Sequence, residues 1–186
     1  MIRLVAVSAA ALILAGAAFA GTDVKLAPFS GISVHGGGHV VLRHGTVQRV
    51  TVIKGDLAKA DLHVSGNTLD ISPCRTMCWG HIEFEVEVVS PKIDAIEAHG
   101  GGAVEAEGQF PKQPVLHVQA HGGGAIDTRA IPAETVNAEA HGGGAIEVQA
   151  ISAINAQAFG GGAINYTGNP PHVAAQANGG GSISKD

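Results

Sequence analysis

The amino-acid sequence predicts an all-β protein, a β-solenoid whose rungs are about twenty residues long. Two observations lead to this prediction. A run of three glycines recurs along the second half of the chain, and the residues on either side of it alternate between apolar and polar. Repetition at a fixed short period indicates stacked structural repeats, and alternation indicates strands that bury one face.

The glycine motif occurs five times at nearly constant spacing in this half. It reads HGGGA at 99–103, 121–125 and 141–145, FGGGA at 159–163 and NGGGS at 178–182, so successive copies are 22, 20, 18 and 19 residues apart. Because glycine is costly to order, and because a reactive loop is needed only once, we interpret the motif as a structural corner in every rung. The predicted corner glycines are Gly100, Gly101, Gly102, Gly122, Gly123, Gly124, Gly142, Gly143, Gly144, Gly160, Gly161 and Gly162.

Small apolar residues occupy every second position before each corner. Leu116, Val118 and Ala120 precede the second copy, and the last such triplet lies at alternate positions of 173–177. After each corner, an Ile or Val is followed by a polar residue. Each rung is therefore expected to contain a strand, a glycine turn, a second strand and a looser connection, with Ala, Val and Ile stacked inside.

The first half of the chain is strand-like but less regular. An early HGGGH at 35–39 repeats the corner, so we expect this half to continue the solenoid. We predict a single domain over residues 21–186, less regular over 21–92 and regular over 93–186. The candidate strands in the first half are Gly31–Val34, His39–Arg43, Val47–Ile53, Leu62–Val64, Thr68–Ser72 and Ile82–Val89.

Residues 1–20 have the features of a cleaved secretory signal peptide. Arg3 supplies a basic start, an apolar run extends from Leu4 to Ala18, and Ala-Phe-Ala precedes a cleavage site after Ala20. This segment predicts a periplasmic or extracellular location. No later apolar run approaches the roughly 18 residues of a membrane-spanning helix, so we expect no membrane insertion.

The charge of the chain limits its partners. Eleven Lys and Arg stand against sixteen Asp and Glu, which gives a formal net charge of −5, and the basic residues form no run. Nucleic acid is therefore not an expected partner. The possible partners are therefore a protein, a glycan or another surface ligand.

Four stretches resemble a known family. They read "FSGISVHGGGHVVLRHG", "VTVIKGD", "LHVSGNTLDIS" and "IDAIEAHGGGAVEAEG". From Phe29 onwards they are similar to the head GIN domain, a family of secreted bacterial proteins named as autotransporter adhesins. The resemblance implies a right-handed parallel β-helix, an envelope location and a role in adhesion, and it implies no catalytic residues.

Three histidines share one position in successive repeats. His99, His121 and His141 directly precede their corners, so they should stack on consecutive rungs and point outwards. Imidazoles about 4.8 Å apart could lean together around Zn²⁺ or Cu²⁺, which makes a periplasmic metal-binding protein the alternative function. The other interpretation is a solvent-facing ladder, which Phe159 and Asn178 favour because they occupy the same position without being equivalent ligands.

Cys74 and Cys78 are the only cysteines of the sequence. In the oxidising compartment that the signal peptide predicts, they are expected to form a local disulfide. A metal site that includes His81 and a pair of free thiols are the alternatives.

Enzymatic interpretations are weaker. HGGG is also the oxyanion-loop motif of some esterases, but the chain lacks the G-x-S-x-G nucleophile motif that accompanies it. A carbohydrate-active β-helix enzyme, the second alternative, would use the outward acids Glu105, Asp127 and Glu147 with Arg129. We therefore expect a secreted, non-enzymatic β-solenoid without a cofactor, which presents flat ladders of side chains to a surface, glycan or partner protein.

Overall fold

The computed structural model describes residues 21–75 and 83–186, whose fifteen strands belong to one hydrogen-bonded sheet. The expectation of an all-β fold is confirmed, since none of the residues in these two ranges is helical. Accordingly, this part of the chain contains no helix long and apolar enough to span a bilayer. The predicted signal peptide lies outside the described residues.

The strands are named in chain order. They are β1 (Thr22–Val24), β2 (Gly31–Gly36), β3 (His39–His44), β4 (Arg49–Lys54), β5 (Asp61–Ser65), β6 (Thr68–Ser72), β7 (Glu85–Ser90), β8 (Ala95–Gly100), β9 (Ala103–Glu107), β10 (Gln113–Gly122), β11 (Ala125–Gly142), β12 (Ala145–Gly160), β13 (Ala163–Thr167), β14 (His172–Asn178) and β15 (Ser182–Lys185). Strands β2 to β6 lie within two residues of the predicted bounds, and β1 was not predicted. The strand predicted at Ile82–Val89 begins only at Glu85, since residues 83 and 84 are not in a strand and Ile82 lies outside the described residues.

The glycine corners separate two ladders of parallel strands. The first ladder contains strands that run towards a corner, in the spatial order β6, β2, β8, β10, the ends of β11 and β12, and β14. The second ladder contains strands that leave a corner, in the order β7, β3, β9, the beginnings of β11 and β12, β13 and β15. Because β11 and β12 belong to both ladders, the sheet curls back on itself.

The first half of the chain joins the stack out of sequence order. The early corner does continue it, since His35 lies opposite His99 and Gly36 opposite Gly100. However, the later strands β6 and β7 pack on the far side of β2 and β3. Strands β5, β4 and β1 then pair antiparallel at this end, so the sheet is mixed rather than parallel throughout.

The core consists of columns of small and branched side chains. Ile126, Ile146 and Ile164 occupy one column of the second ladder and are 2% exposed or less. The alternating residues of the first ladder are also buried, as predicted, except in the last rung. There the expectation is wrong, because β14 is exposed along its whole length and Val173 is 49% exposed.

Each corner is a tight turn that packs on the corner of the neighbouring rung. At the 141–144 corner, the N–H of Gly144 donates to the carbonyl oxygen of His141 at 3.3 Å, and Gly142 has a φ of +71°. A positive φ at the first central residue is the geometry of a type II′ turn, which glycine adopts without steric cost. The N–H of Gly143 donates to the carbonyl oxygen of Gly122 at 2.7 Å, which joins this corner to the preceding one.

The third glycine of the corner has no room for a side chain. A Cβ built on Gly144 would lie 2.7 Å from the carbonyl oxygen of Ala120 in the neighbouring rung. Gly124, Gly162 and Gly181 make equivalent approaches of 2.8, 2.6 and 2.6 Å to backbone oxygens. The three glycines of the motif therefore have different tasks, since the first provides the turn and the third allows close stacking.

Gly144→Ala is expected to destabilise the fold by about 2 kcal/mol, because the added methyl group meets backbone that cannot rotate away. Gly143→Ala is the matched control, since its Cβ would lie 3.3 Å from the nearest atom and its φ is not positive. It should stay within about 1 kcal/mol of the wild type. Chemical denaturation of both variants measures the difference, and equal losses would contradict this account of the corner.

Candidate binding face

A column of stacked rings runs along the outer surface of the first ladder beside the corners. The centroid distances are 4.9 Å from His35 to His99, 4.9 Å from His99 to His121, 5.0 Å from His121 to His141 and 4.9 Å from His141 to Phe159. The three histidines predicted to share a register therefore do so. We call this column, with Asn178 at its end, the His register.

The rings lie face to face rather than converging on a point. Their planes differ by 5° or less from His35 to His121 and by 12° between His121 and His141. Ring nitrogens coordinate a metal in the plane of the ring, so parallel rings direct their lone pairs along separate planes. Within the described residues, no group of three His, Cys, Asp or Glu side chains is arranged to hold a metal ion.

Polar side chains form a second column next to the rings. His99 Nε2 lies 3.4 Å from Glu97 Oε2, and His141 Nε2 lies 3.7 Å from Glu139 Oε2. The strand between them has the neutral Gln119 at this position, so the carboxylates of Glu97 and Glu139 are not on adjacent strands. We call this column the polar register; it consists of Ser33, Glu97, Gln119, Glu139, Gln157 and Gln176.

A third column is a short amide ladder. Asn155 Nδ2 donates to Asn137 Oδ1 at 2.9 Å, and Asn137 Nδ2 lies 3.4 Å from His117 Nδ1. His117 and Asn155 are exposed and Asn137 is half-buried, and we call the three side chains the Asn register. The three registers together form the binding face, a surface on which similar groups recur once per strand.

The second ladder carries the acids that were considered as catalytic candidates. Glu105, Asp127 and Glu147 stand in one register, as predicted. A shallow depression of about 300 Å³ lies beside them, and the rest of its lining consists of His39, three alanines, Val104 and Ile126. Arg129 bridges two of the acids, with Nη2 2.5 Å from an oxygen of Asp127 and Nη1 2.8 Å from an oxygen of Glu147.

Most of the chain matches a known protein family. Residues 28–115 and 112–170 match the family described as "Putative auto-transporter adhesin, head GIN domain". The chain belongs to this family. The matched ranges include the whole binding face except the last rung, and the resemblance inferred from the sequence is confirmed.

Several solved structures are similar to this chain at low sequence identity, and one of them has a TM-score above 0.5. The GIN-domain chain is similar to a "putative adhesin" from Bacteroides fragilis, with 21% identity, a TM-score of 0.56 and coverage of 89% of this chain and 96% of that one. A "putative adhesin" from Parabacteroides merdae has 15% identity, a TM-score of 0.43 and coverage of 90% and 95%. A "putative cell adhesion protein" from Clostridium sporogenes has 14% identity, a TM-score of 0.40 and coverage of 89% and 98%. No curated protein matched the chain.

Other predicted residues fall in different places. Cys74 follows β6 and is half-buried, whereas Cys78 and His81 lie outside the described residues, so the disulfide stays a prediction. The sequence analysis missed His35 as a member of the ring column. The HGGGH stretch at 35–39 was the signal that could have identified it, but only if the early corner had been placed directly beside the one at 99–103.

Burial and neighbouring charges both act on the middle ring. Desolvation lowers the pKa of His121 below its ordinary value of 6.5, and the imidazoles of His99 and His141 lower it further, while Glu97 and Glu139 oppose the shift. The native protein therefore favours the neutral form of this ring, because a cation here is partly desolvated and would repel any neighbour that also carried a proton.

We expect NMR titration to give His121 a pKa below 6.5. His99→Phe with His141→Phe should raise this pKa towards 6.5, since phenyl rings keep the ring buried but remove the neighbouring charges. His172→Phe, on an exposed strand, is the control and should leave the pKa of His121 unchanged.

The same shift makes stability depend on pH. Because the pKa of His121 is lower in the native protein than in the unfolded chain, the unfolded chain binds more protons. The contribution of His121 to the free energy of unfolding is therefore constant above about pH 6.5 and is lost as pH falls towards the folded pKa. A wild-type value at or above 6.5 would contradict this.

The metal hypothesis for His99, His121 and His141 has its own test. Because the ring planes are parallel, we expect the wild type to bind Zn²⁺ no more tightly than His121→Ala does. Calorimetric titration of both proteins measures this. Tight binding by the wild type that the single substitution removes would instead favour a metal site formed by rotation of the rings.

Proposed function

We propose that this GIN-domain protein is a secreted, non-enzymatic β-solenoid that binds a surface ligand, a glycan or a partner protein, through its binding face. The observation that supports this most directly is the recurrence of similar side chains in register, one per strand, with histidine on four neighbouring strands of the His register. Such a face suits an elongated ligand that repeats its own contacts.

The chemistry of the face favours a polar, hydroxyl-rich ligand such as a glycan. Amides and neutral imidazoles both donate and accept hydrogen bonds, and the edges of the rings remain accessible. The side chains of His99 and His141 are 35% and 38% exposed, so a ligand can reach them while packing against the neighbouring rings holds them in place. Each contact on such an exposed surface contributes little by itself, and affinity would come from the number of rungs that a ligand covers.

The proposed solenoid is a right-handed coil with the rungs of the two ladders as its turns. Parallel strands joined by a crossover connection are right-handed in nearly all proteins, and the resemblance to the family implies the same hand. We place the protein at the cell surface or in the periplasm. The family description as an adhesin supports this location, as does the signal peptide that the sequence predicts.

The electrostatics of the second ladder favour binding over catalysis. Burial alone would raise the pKa of Asp127, but the hydrogen bonds and charge of Arg129 outweigh it and lower the pKa below its ordinary value. A glycosidase needs one carboxylic acid whose pKa is raised so that it can donate a proton. Asp127 is held in the opposite state, as an ion-paired carboxylate.

A rung deletion tests whether binding depends on repeated contacts. Removal of residues 123–142 joins Gly122 to Gly143 and preserves the corner, so the product should fold with one rung fewer. If a rung contributes about 1 kcal/mol, affinity for the best ligand found on a glycan array should fall about fivefold. Unchanged affinity would argue against the arrayed face.

Two glutamine substitutions provide the matched comparison. Gln119→Ala removes a member of the polar register, whereas Gln149→Ala removes a similarly half-buried amide from the second ladder. Only the first should weaken ligand binding, and neither should change the free energy of unfolding appreciably. Equal losses in both variants would place the binding site elsewhere.

A further inference from the structure

The last rung exposes positions that the preceding rungs bury. The inward side chains of β14 continue three buried columns of β12, with Val173 beyond Ile154, Ala175 beyond Ala156 and Ala177 beyond Ala158. The β12 members are at most 1% exposed, whereas every residue of β14 is exposed. Among the described strands, β14 pairs with β12 and β15 pairs with β13, so the outer edges of both face away from the stack. An apolar surface and two strand edges therefore lie open at this end.

Most of this end of the protein is also uncharged, and its charged residues are Lys185, the last residue of β15, and Asp186. Residues 148–184 contain no Asp, Glu, Lys or Arg. The polar register changes from Glu139 to Gln157 and Gln176, and the column that contains Glu147 continues with Asn165 and Ser184. The loss of charge thus occurs in both ladders over the same two rungs.

The opposite end is protected in the usual way. Natural proteins shorten edge strands or place charges on them so that other chains do not pair with them. Strand β1 has only three residues and includes Asp23. In β5, His63 Nδ1 lies 3.5 Å from Asp61 Oδ1, and its Nε2 lies 3.8 Å from Asp70 Oδ2. The seven-residue β14 has neither protection, whereas the neighbouring β15 has four residues and includes Lys185.

We propose that the β14–β15 end binds the same end of a second copy of this chain, with the facing strands antiparallel and the two molecules related by a two-fold axis. Antiparallel pairing of like edges satisfies the outward N–H and C=O groups of both copies. It also covers Val173, Ala175 and Ala177 with side chains of the same small size. Because the opposite end is protected, the association stops at a dimer.

A second copy fits this end better than a charged partner does. Close to a two-fold axis each side chain meets its own copy, so an uncharged strand avoids repulsion there, and β14 is such a strand. The inward columns of the stack are built from Ala, Val and Ile, and β14 is itself a strand with that pattern. The dimer would present two binding faces, one from each copy, on one elongated particle.

Sedimentation velocity of the exported protein tests the proposal. Small interfaces give weak association, so the concentration series should extend from about 10 μM to about 1 mM. We expect a monomer–dimer equilibrium in the wild type, and loss of the dimer in Ala175→Lys, which places a charge on the inward side of β14. Ala174→Lys is the matched control, because the neighbouring residue is equally exposed but faces outwards, and it should still dimerise.

Hydrogen exchange locates the interface without any substitution. Amides of β14 and β15 should become protected as the concentration of wild-type protein rises, while those of β1 and β5 should not change. This measurement keeps the proposal testable if Ala175→Lys fails to fold. A wild type that remains monomeric throughout the series, open-ended polymers, or a dimer without added protection at β14 would each overturn it.

Discussion

The close contact between successive glycine corners is the constraint on which the rest of the structure depends. The N–H of Gly123 donates to the carbonyl oxygen of Gly100 at 2.7 Å, and the next corner repeats this hydrogen bond at the same length. The third glycine lies against the backbone of the preceding rung, where a Cβ would not fit. These contacts fix the position of each corner relative to the next one. The corners therefore set the register of the strands that pair on both sides of them. A slip of this register by one residue would turn the apolar face of a strand towards solvent.

This register places similar residues in columns, so side chains of like charge on adjacent strands can repel one another. Identical positions lie about 4.8 Å apart on neighbouring strands, so any repeated charge meets its own kind. The molecule solves this in several ways. Gln119 separates Glu97 from Glu139, Arg129 bridges Asp127 and Glu147, and His121 is held towards its neutral form. The binding face can thus repeat polar groups without accumulating repulsion.

The sides and the ends of the stack expose different groups to solvent, because a strand within the stack has neighbours on both edges and a strand at an end has a neighbour on one edge. Along the sides, each strand is covered by its neighbours, and only outward side chains meet solvent. At an end, the inward side chains and the strand edge are exposed together, so an end must be protected or paired. The first end carries antiparallel strands with acids and His63, whereas β14 at the last end is uncharged and exposes apolar side chains. This contrast separates a surface suited to ligand contacts from one suited to self-association.

The sequence by itself determined the local features of this protein: the corners, the strands beside them, the buried alternate positions and the shared register of His99, His121 and His141. These depend on periodicity over about twenty residues, which short-range steric rules translate directly into structure. Only the tertiary structure decided that the early corner packs beside the one at 99–103, that β6 and β7 lie outside it, that His35 joins the ring column and that β14 remains uncovered. Those outcomes depend on pairing between strands that are distant in the chain, such as β2 and β8, where His35 lies opposite His99. Periodicity does not predict pairing at that distance, because many strands offer the same alternation of apolar and polar side chains.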